Sequence, residues 1–164
     1  MTDFEAEPPG VAVAPAAVAS LFVFAGSLAS TTGVALSAAG AALLVYGTHS
    51  GTRRFVTLGG GALFLAVVFS GTAGLDTRYA LVAAAAALVA YDAGEHAVSL
   101  GHDVGRDGRV GAALLVHVAI TTSVALLVAA FAYAVYEFGP GSLPVGALVA
   151  LLVAGVLLAY TLRE

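Results

Sequence analysis

A long apolar run near the start of the chain limits what this sequence can fold into. From Val11 to Tyr46, about 36 residues pass without a charged side chain, and the only interruption is the small polar run Ser30-Thr31-Thr32-Gly33. A bilayer core about 30 Å thick needs roughly 20 helical residues, so this length fits two spans joined by a tight turn. We predict spans near residues 12–30 and 33–48, and a re-entrant hairpin over 12–48 is the alternative.

The composition of the whole chain also favours a lipid bilayer. Hydrophobic residues make up 60% of the 164 residues and charged residues 10%, and the mean hydropathy is +1.01. Soluble domains usually contain about 45–50% apolar and about 25% charged residues. Since the sequence has no cysteine, disulfides, thiolate catalysis and zinc–thiolate or iron–sulfur sites are excluded. The few basic residues are not interleaved with aromatic residues in a polar surface, which makes nucleic-acid binding improbable.

The charged residues have an unusual composition. All six basic residues are arginine, and the acidic residues outnumber them by four. A lysine-free, acid-biased chain rich in alanine, valine and glycine is typical of proteins from extremely halophilic archaea. A GC-rich genome biases codons in a similar direction and is the alternative explanation.

Four more apolar segments follow the first two. They are expected at residues 55–72, from 75 or 78 to 91, at 110–138 and at 144–162. Loops with Gly, Pro or Arg separate them, and Pro144 suits the first turn of the last one. The sequence therefore predicts an all-α polytopic integral membrane protein with six transmembrane helices, with five helices as the alternative.

The distribution of arginine predicts the orientation. If the N-terminus is cytoplasmic, Arg78 alone lies outside, and five arginines lie inside: Arg53, Arg54, Arg106, Arg109 and Arg163. The positive-inside rule favours this arrangement. Residues 1–10 lack the basic start of a secretory signal, so we expect an acidic cytoplasmic tail followed by a single transmembrane helical domain, residues 11–164. The predicted location is the cell membrane, multi-pass, with both termini cytoplasmic.

The segment from Asp92 to Arg109 concentrates the polar residues and is predicted to be cytoplasmic and amphipathic. At about 100° per residue, one polar face covers roughly a third of a helix. It holds Asp92, Glu95, His96, Ser99, His102, Asp103 and Arg106, opposite Ala93, Ala97, Leu100 and Val104. Gly94, Gly101 and Gly105 form a third line, where another helix could pack closely.

A polar cluster is expected where this segment meets the fifth span. Asp92 ends the fourth span and His117 lies near the start of the fifth, so His117 is expected at the depth of Asp92 and Glu95. The predicted cluster consists of Asp92, Glu95, His96, His117 and Thr121. Three interpretations remain open: a contact that ties two helices together, a proton or cation pathway, and a metal site on Asp92, His96 and His117.

The outer part of the segment has two interpretations. Its candidate partner-facing residues are Ser99, His102, Asp103, Arg106 and Arg109. They form either an ordinary solvated face or a docking surface for a cytoplasmic partner. The sequence contains no Gly-x-Ser-x-Gly, no phosphate-binding loop and no His-Glu-x-x-His motif, so no catalytic residue and no cofactor are predicted.

A pattern within residues 91–117 consists of Tyr91, Asp92, Gly94, Glu95, Leu100, Gly101, Gly105, Arg106 and His117. In this pattern the chain resembles a family of small haloarchaeal multi-pass membrane proteins of unknown function. Members typically start with an aromatic residue followed by Asp-x-Gly-Glu and carry a Val-His at the beginning of the next span. After Arg106 the chain has less charge than the family pattern. The resemblance implies a multi-pass membrane fold and no particular activity.

These observations predict a non-enzymatic integral membrane subunit or scaffold. Its cytoplasmic segment, residues 92–109, is expected to engage a membrane or cytoplasmic protein partner or another copy of the chain. The alternative is a small transporter or a proton- or ion-conducting protein that uses Asp92, Glu95 and His117. A metal-dependent membrane enzyme is a third hypothesis.

Overall fold

The computed structural model describes residues 10–104 and 111–138. Several predicted features lie outside these residues: most of the acidic tail, the sixth span at 144–162, and Gly105, Arg106, Arg109 and Arg163. Within the described ranges all regular secondary structure is helical, which confirms the all-α class.

Five helices make up the described part of the chain. They are α1 (Val13–Gly26), α2 (Thr31–His49), α3 (Arg53–Thr72), α4 (Thr77–Val104) and α5 (Gly111–Phe138). Short 3-10 turns at Gly10–Ala12 and Ser27–Ala29 extend α1 at both ends. All five of these described helices, α1 with its turns included, are long and apolar enough to cross a membrane. Six spans were predicted, and the sixth falls outside the described residues.

The boundary between α1 and α2 falls at the polar run that interrupts the first apolar segment. Ser30 has an extended backbone, with φ −137° and ψ 124°, and its side chain accepts a hydrogen bond from the Gly33 N–H at 3.1 Å. This is the usual way in which serine begins a helix. The next two loops turn at Gly51 (φ 66°) and Gly74 (φ 96°), where a left-handed backbone favours glycine.

By its contacts the chain forms two compact units, one that ends at Tyr133 and one that begins at Ala134. The first unit holds α1 to α4 and most of α5. In the second unit the described residues are 134–138, the last turns of α5.

Helices α2 and α3 touch along their backbones. A Cβ atom added at Gly40 would lie 2.9 Å from the Gly59 carbonyl oxygen, and one added at Gly47 would lie 2.6 Å from the Val56 nitrogen. Side chains larger than hydrogen therefore do not fit at these positions. We call this contact the α2–α3 seam. It is the small-residue packing common between transmembrane helices.

Helix α4 continues without a break through the predicted amphipathic segment to Val104. Its 28 residues correspond to about 42 Å. It packs against α1, α2 and α3. The apolar side of the segment faces inward, since Ala93, Ala97 and Val98 are almost fully buried.

One end of the first unit collects most of the charged side chains that the structure describes in that unit. Ala12, Ala97 and Leu114 pack together there, and Gly94 packs against Thr48 and Val56. The starts of α1, α3 and α5 therefore meet the ends of α2 and α4. We call this the cluster end, and the end with the α1–α2 and α3–α4 loops the opposite end.

The buried hydroxyl groups of the described helices do not link one helix to another. Each donates to a carbonyl oxygen three or four residues earlier in its own helix, at 2.7–3.0 Å. They belong to Ser20, Ser27, Ser37, Thr48 and Ser70. Packing between these helices at those positions therefore depends on close apolar contact rather than on polar bonds.

Candidate functional site

The most distinctive polar contact at the cluster end joins α4 to α5. His117 Nε2 lies 2.7 Å from Asp92 Oδ2, and the Thr121 hydroxyl donates to the same oxygen at 2.9 Å. His117 and Thr121 are four residues apart, so they lie on one face of α5. Both side chains of the Asp92–His117 pair remain about one-third exposed, at 37% and 34%.

A second histidine completes this group. The His96 ring stacks on the His117 ring, with centroids 3.8 Å apart and planes 11° from parallel. His96 follows Asp92 by four residues, so α4 presents both side chains toward α5. We call Asp92, His96, His117 and Thr121 the Asp92 cluster.

The contacts make a carboxylate tolerable at this position. Ionisable side chains within a membrane span are costly unless they are paired or face water. An ionised Asp92 can accept one hydrogen bond from an Nε2–H tautomer of His117 and a second from the Thr121 hydroxyl. Among the described residues, every buried side-chain polar atom has a hydrogen-bond partner. The cluster therefore links two helices without leaving a buried polar atom unsatisfied.

Glu95 was predicted to belong to this cluster, but its carboxylate faces Arg53 of α3 instead. Its Oε2 atom is 3.8 Å from Arg53 Nη1. The reason is the pitch of the helix. Relative to Asp92, a residue three positions later is rotated by about −60° and one four positions later by about +40°. Glu95 therefore turns toward α3 and His96 toward α5.

Arg53 connects the start of α3 to the same part of α4. Its Nη2 donates to Ser99 Oγ at 3.0 Å, and Ser99 in turn donates to the Glu95 carbonyl oxygen at 3.1 Å. The Arg53 side chain is 58% exposed. The contact between Arg53 and α4 was not predicted from the sequence. This contact could have been predicted from the position of Arg53 at the start of the third span, which places it at the depth of Ser99.

The stacked rings do not form a metal site. A metal ion bound by imidazole lies in the ring plane, about 2.0–2.1 Å from the nitrogen. Two nearly parallel rings 3.8 Å apart have planes that do not meet at one such point. No group of three or more His, Asp or Glu within residues 10–104 and 111–138 could hold a metal ion. The geometry gives the metal hypothesis on Asp92, His96 and His117 no support.

The predicted partner-facing residues have different surroundings. Ser99 is bonded to Arg53. His102 and Asp103 are exposed, and neither forms a side-chain hydrogen bond or ion pair with another described residue. Arg106 and Arg109 lie outside the described ranges.

The predicted glycine line begins at a close contact between helices. A Cβ atom at Gly94 would lie 2.9 Å from Val56 Cγ1 and 3.1 Å from Thr48 Oγ1. Gly94 therefore lets α4 approach α2 and α3 together. Gly101 is also buried, and Gly105 lies outside the described residues.

Comparison with curated proteins and with solved structures found no match to this chain. A family model described as a family of unknown function (DUF7519) matches residues 6–159, which include α1 to α5 and the Asp92 cluster. The description agrees with the resemblance to a family without a known activity, and it gives no host and no topology. Because the match covers nearly the whole sequence, the chain belongs to the DUF7519 family of unknown function.

Proposed function

We propose that this protein is a non-enzymatic integral membrane subunit or scaffold. Its cytoplasmic segment, residues 92–109, engages a protein partner or a second copy of the chain. The observation that carries the proposal is that the polar side chains of α4 fall into two successive groups, one bound to neighbouring helices and one exposed. Asp92, Glu95 and Ser99 are bound to α5 and α3, whereas His102 and Asp103, one turn further on, are exposed and unpaired among the described residues.

The length of α4 supports a projecting end. At 28 residues the helix is about 42 Å long, and the hydrocarbon core of a bilayer is about 30 Å thick. About eight residues therefore exceed the core. Since residues 79–91 carry no charged side chain, the excess belongs at the polar C-terminal end. Contacts with Arg53 and His117 hold that end in a fixed direction, which favours presentation to a partner.

We propose a topology of six spans with both termini cytoplasmic in the cell membrane of a halophilic archaeon. The described cluster end holds Arg53 and Arg54, the opposite end holds Arg78, and two more arginines follow α4 in the sequence. This bias supports a cytoplasmic cluster end. The lysine-free, acidic composition supports the halophilic host, and the apolar run at 144–162 supports the sixth span.

The scaffold proposal is tested by purification from host membranes in a mild detergent. We expect wild-type protein to bring down one partner in near-stoichiometric amount, or to elute as an oligomer by light scattering. The double variant His102→Ala, Asp103→Asn should lose that association. His49→Ala removes an exposed histidine from the same end and should retain it. A wild-type protein that is alone and monomeric would overturn the proposal.

A second candidate function is proton binding or conduction through Asp92 and His117. A carboxyl and an imidazole 2.7 Å apart and partly exposed favour proton exchange with water. Beyond the cluster, however, residues 118–133 of α5 and 79–91 of α4 contain no Asp, Glu, His, Lys or Arg. The described helices therefore support a proton site at one end better than a complete path.

This candidate is tested in liposomes that carry a pH-sensitive dye. If wild-type protein conducts protons, Asp92→Asn and His117→Ala should abolish the flux, and Ser123→Ala should leave it unchanged. A wild-type flux that survives both substitutions would exclude this route, and no wild-type flux would exclude conduction.

A further inference from the structure

An apolar groove lies between α3, α4 and α5 in the first unit. Its volume is about 550 Å³, within the range of about 300–1,000 Å³ found for small-molecule sites. Gly60, Gly61 and Phe64 line it on α3, Leu88 and Tyr91 on α4, and Ala129 on α5. We call it the α3–α5 groove. Its floor and walls are almost entirely hydrocarbon.

The groove has the length of one leaflet. Along α4 it extends from Tyr91, near the cluster end, to Leu81. Ten residues of helix measure about 15 Å, and half of a bilayer core is also about 15 Å. The groove is therefore as long as one leaflet is deep, and its far end at Leu81 lies three residues from Arg78, past the middle of the span. A lipid chain that enters from the cluster end would fill this distance.

Glycine keeps the groove open on α3. A Cβ atom added at Gly61 would meet no other atom within 4 Å, so the space beside it is empty. Gly60 differs, because a Cβ atom there would lie 2.7 Å from Tyr91 Cδ2. Tyr91 thus closes the inner side of the groove, and Gly61 leaves its outer side accessible.

An arginine without a side-chain partner among the described residues lies beyond the cluster-end side of the groove. Arg54 precedes Thr57 by three residues and Gly61 by seven, so all three share one face of α3, and the latter two line the groove. Arg54 is exposed, and its side chain has no hydrogen bond or ion pair within residues 10–104 and 111–138. Arg53, by contrast, is bound to Ser99 and faces Glu95.

We propose that the α3–α5 groove binds one acyl chain of an anionic phospholipid, with the lipid phosphate against Arg54. In such a lipid the phosphate lies beyond one end of the acyl chain, as Arg54 lies one helical turn beyond Thr57 at the end of the groove. Arginine is well suited to phosphate because its planar guanidinium can donate two parallel hydrogen bonds. Neither this groove nor a second groove of about 360 Å³ between α1, α4 and α5 has a charged residue in its lining, and Arg54 lies one helical turn beyond Thr57 of the α3–α5 groove. The proposal requires the membrane location of the chain but not its role as a scaffold.

The test uses the purified full chain in detergent with phosphatidylglycerol or phosphatidylcholine of identical acyl chains. Bound lipid is counted by native mass spectrometry. We expect wild-type protein to retain one phosphatidylglycerol in preference to phosphatidylcholine. Arg54→Gln should weaken phosphatidylglycerol binding by about three- to tenfold and leave phosphatidylcholine binding unchanged. Gly61→Leu, which places a side chain in the empty space, should abolish the binding of both.

Two variants serve as matched controls. Gly71→Leu adds the same side chain to α3 where a Cβ atom also meets nothing within 4 Å, and Arg78→Gln removes an arginine at the opposite end. Both should retain the wild-type lipid. A melting temperature for each variant, measured before lipid is added, separates loss of the site from loss of the fold.

Three results would overturn the proposal. In the first, the wild-type protein and Arg54→Gln each retain phosphatidylglycerol and phosphatidylcholine equally. In the second, Gly61→Leu binds lipid as strongly as the wild-type protein does. The third is a wild-type protein that takes up no lipid but forms oligomers which Gly61→Leu disrupts, because a protein helix would then occupy the groove. Lipid is counted on purified protein without a partner, so these results are independent of the scaffold test.

Discussion

The Nε2 atom of His117 lies 2.7 Å from Oδ2 of Asp92, and this contact joins α5 to the rest of the first unit at the cluster end. Few residues of α5 are buried: in the described ranges, these are Leu114 and Ala125. The packing of α5 thus buries little of its surface, and the Asp92–His117 pair is a short polar contact that adds to it.

His117→Ala should therefore destabilise the fold. The substitution removes the hydrogen-bond partner that lies nearest to the partly buried Asp92, and it also removes the ring on which His96 stacks. We expect a loss of about 1–3 kcal/mol in the free energy of unfolding, measured by SDS titration in mixed micelles. Ser123→Ala, which removes an exposed hydroxyl bonded within α5, should change it by less than about 0.5 kcal/mol. Equal effects of the two substitutions would contradict a tying role for His117.

The α2–α3 seam predicts opposite outcomes for two glycines on neighbouring helices. Gly40→Ala places a Cβ atom 2.9 Å from both the Gly59 oxygen and the Leu63 nitrogen, which should cost about 1–3 kcal/mol by overpacking. Gly61→Ala meets nothing within 4 Å and should be neutral or slightly stabilising. Thermal unfolding of both variants in detergent checks this difference. A Gly40→Ala protein as stable as Gly61→Ala would show that the helices are further apart than described.

Arg53 should contribute little to stability despite its two partners on α4. Its side chain is 58% exposed, and exposed ion pairs are worth about 0–1 kcal/mol. We expect Arg53→Ala to cost less than about 1 kcal/mol. In double-mutant cycles, its coupling to Ser99 at 3.0 Å should exceed its coupling to Glu95 at 3.8 Å. The reverse order would mean that the ion pair, rather than the hydrogen bond, directs this side chain.

The absence of cysteine from the sequence allows the topology to be tested directly. Single variants Ser50→Cys and Asp103→Cys lie at the cluster end and Ala73→Cys at the opposite end. With a membrane-impermeant maleimide, we expect Ala73→Cys to react in intact cells and the other two only after lysis. Labelling of Ser50→Cys and Asp103→Cys from opposite sides would contradict the shared cluster end. Labelling of both in intact cells would reverse the proposed orientation.

Much of the helical architecture could be predicted because its causes are local. Ser30 and the glycines at 51 and 74 interrupt the apolar segments where the chain turns. The length of each segment then follows from the thickness of the membrane core. The depth shared by Asp92 and His117 could be read in the same way, since both lie near span ends on the same side of the bilayer.

The rotation of each helix about its axis could not be read from the sequence. Glu95 and His96 are adjacent, yet one faces Arg53 and the other stacks on His117. Which side each takes depends on where α3 and α5 pack, and that is decided by close contacts such as Gly94 against the Val56 side chain. Outside the polar segment of α4, alanine and glycine occur on every side of these helices, so periodicity identified no contacting face there.

The α2–α3 seam also bears on how the chain enters the bilayer. Two consecutive helices joined by the short turn Ser50–Thr52 and matched along their backbones can associate as soon as the second leaves the translocon. They would then reach the lipid as a preformed hairpin, before α4 has left the translocon. A bulky residue at Gly40 or Gly59 would thus impair biogenesis as well as the finished protein, and the quality-control machinery of the cell would encounter the defect first.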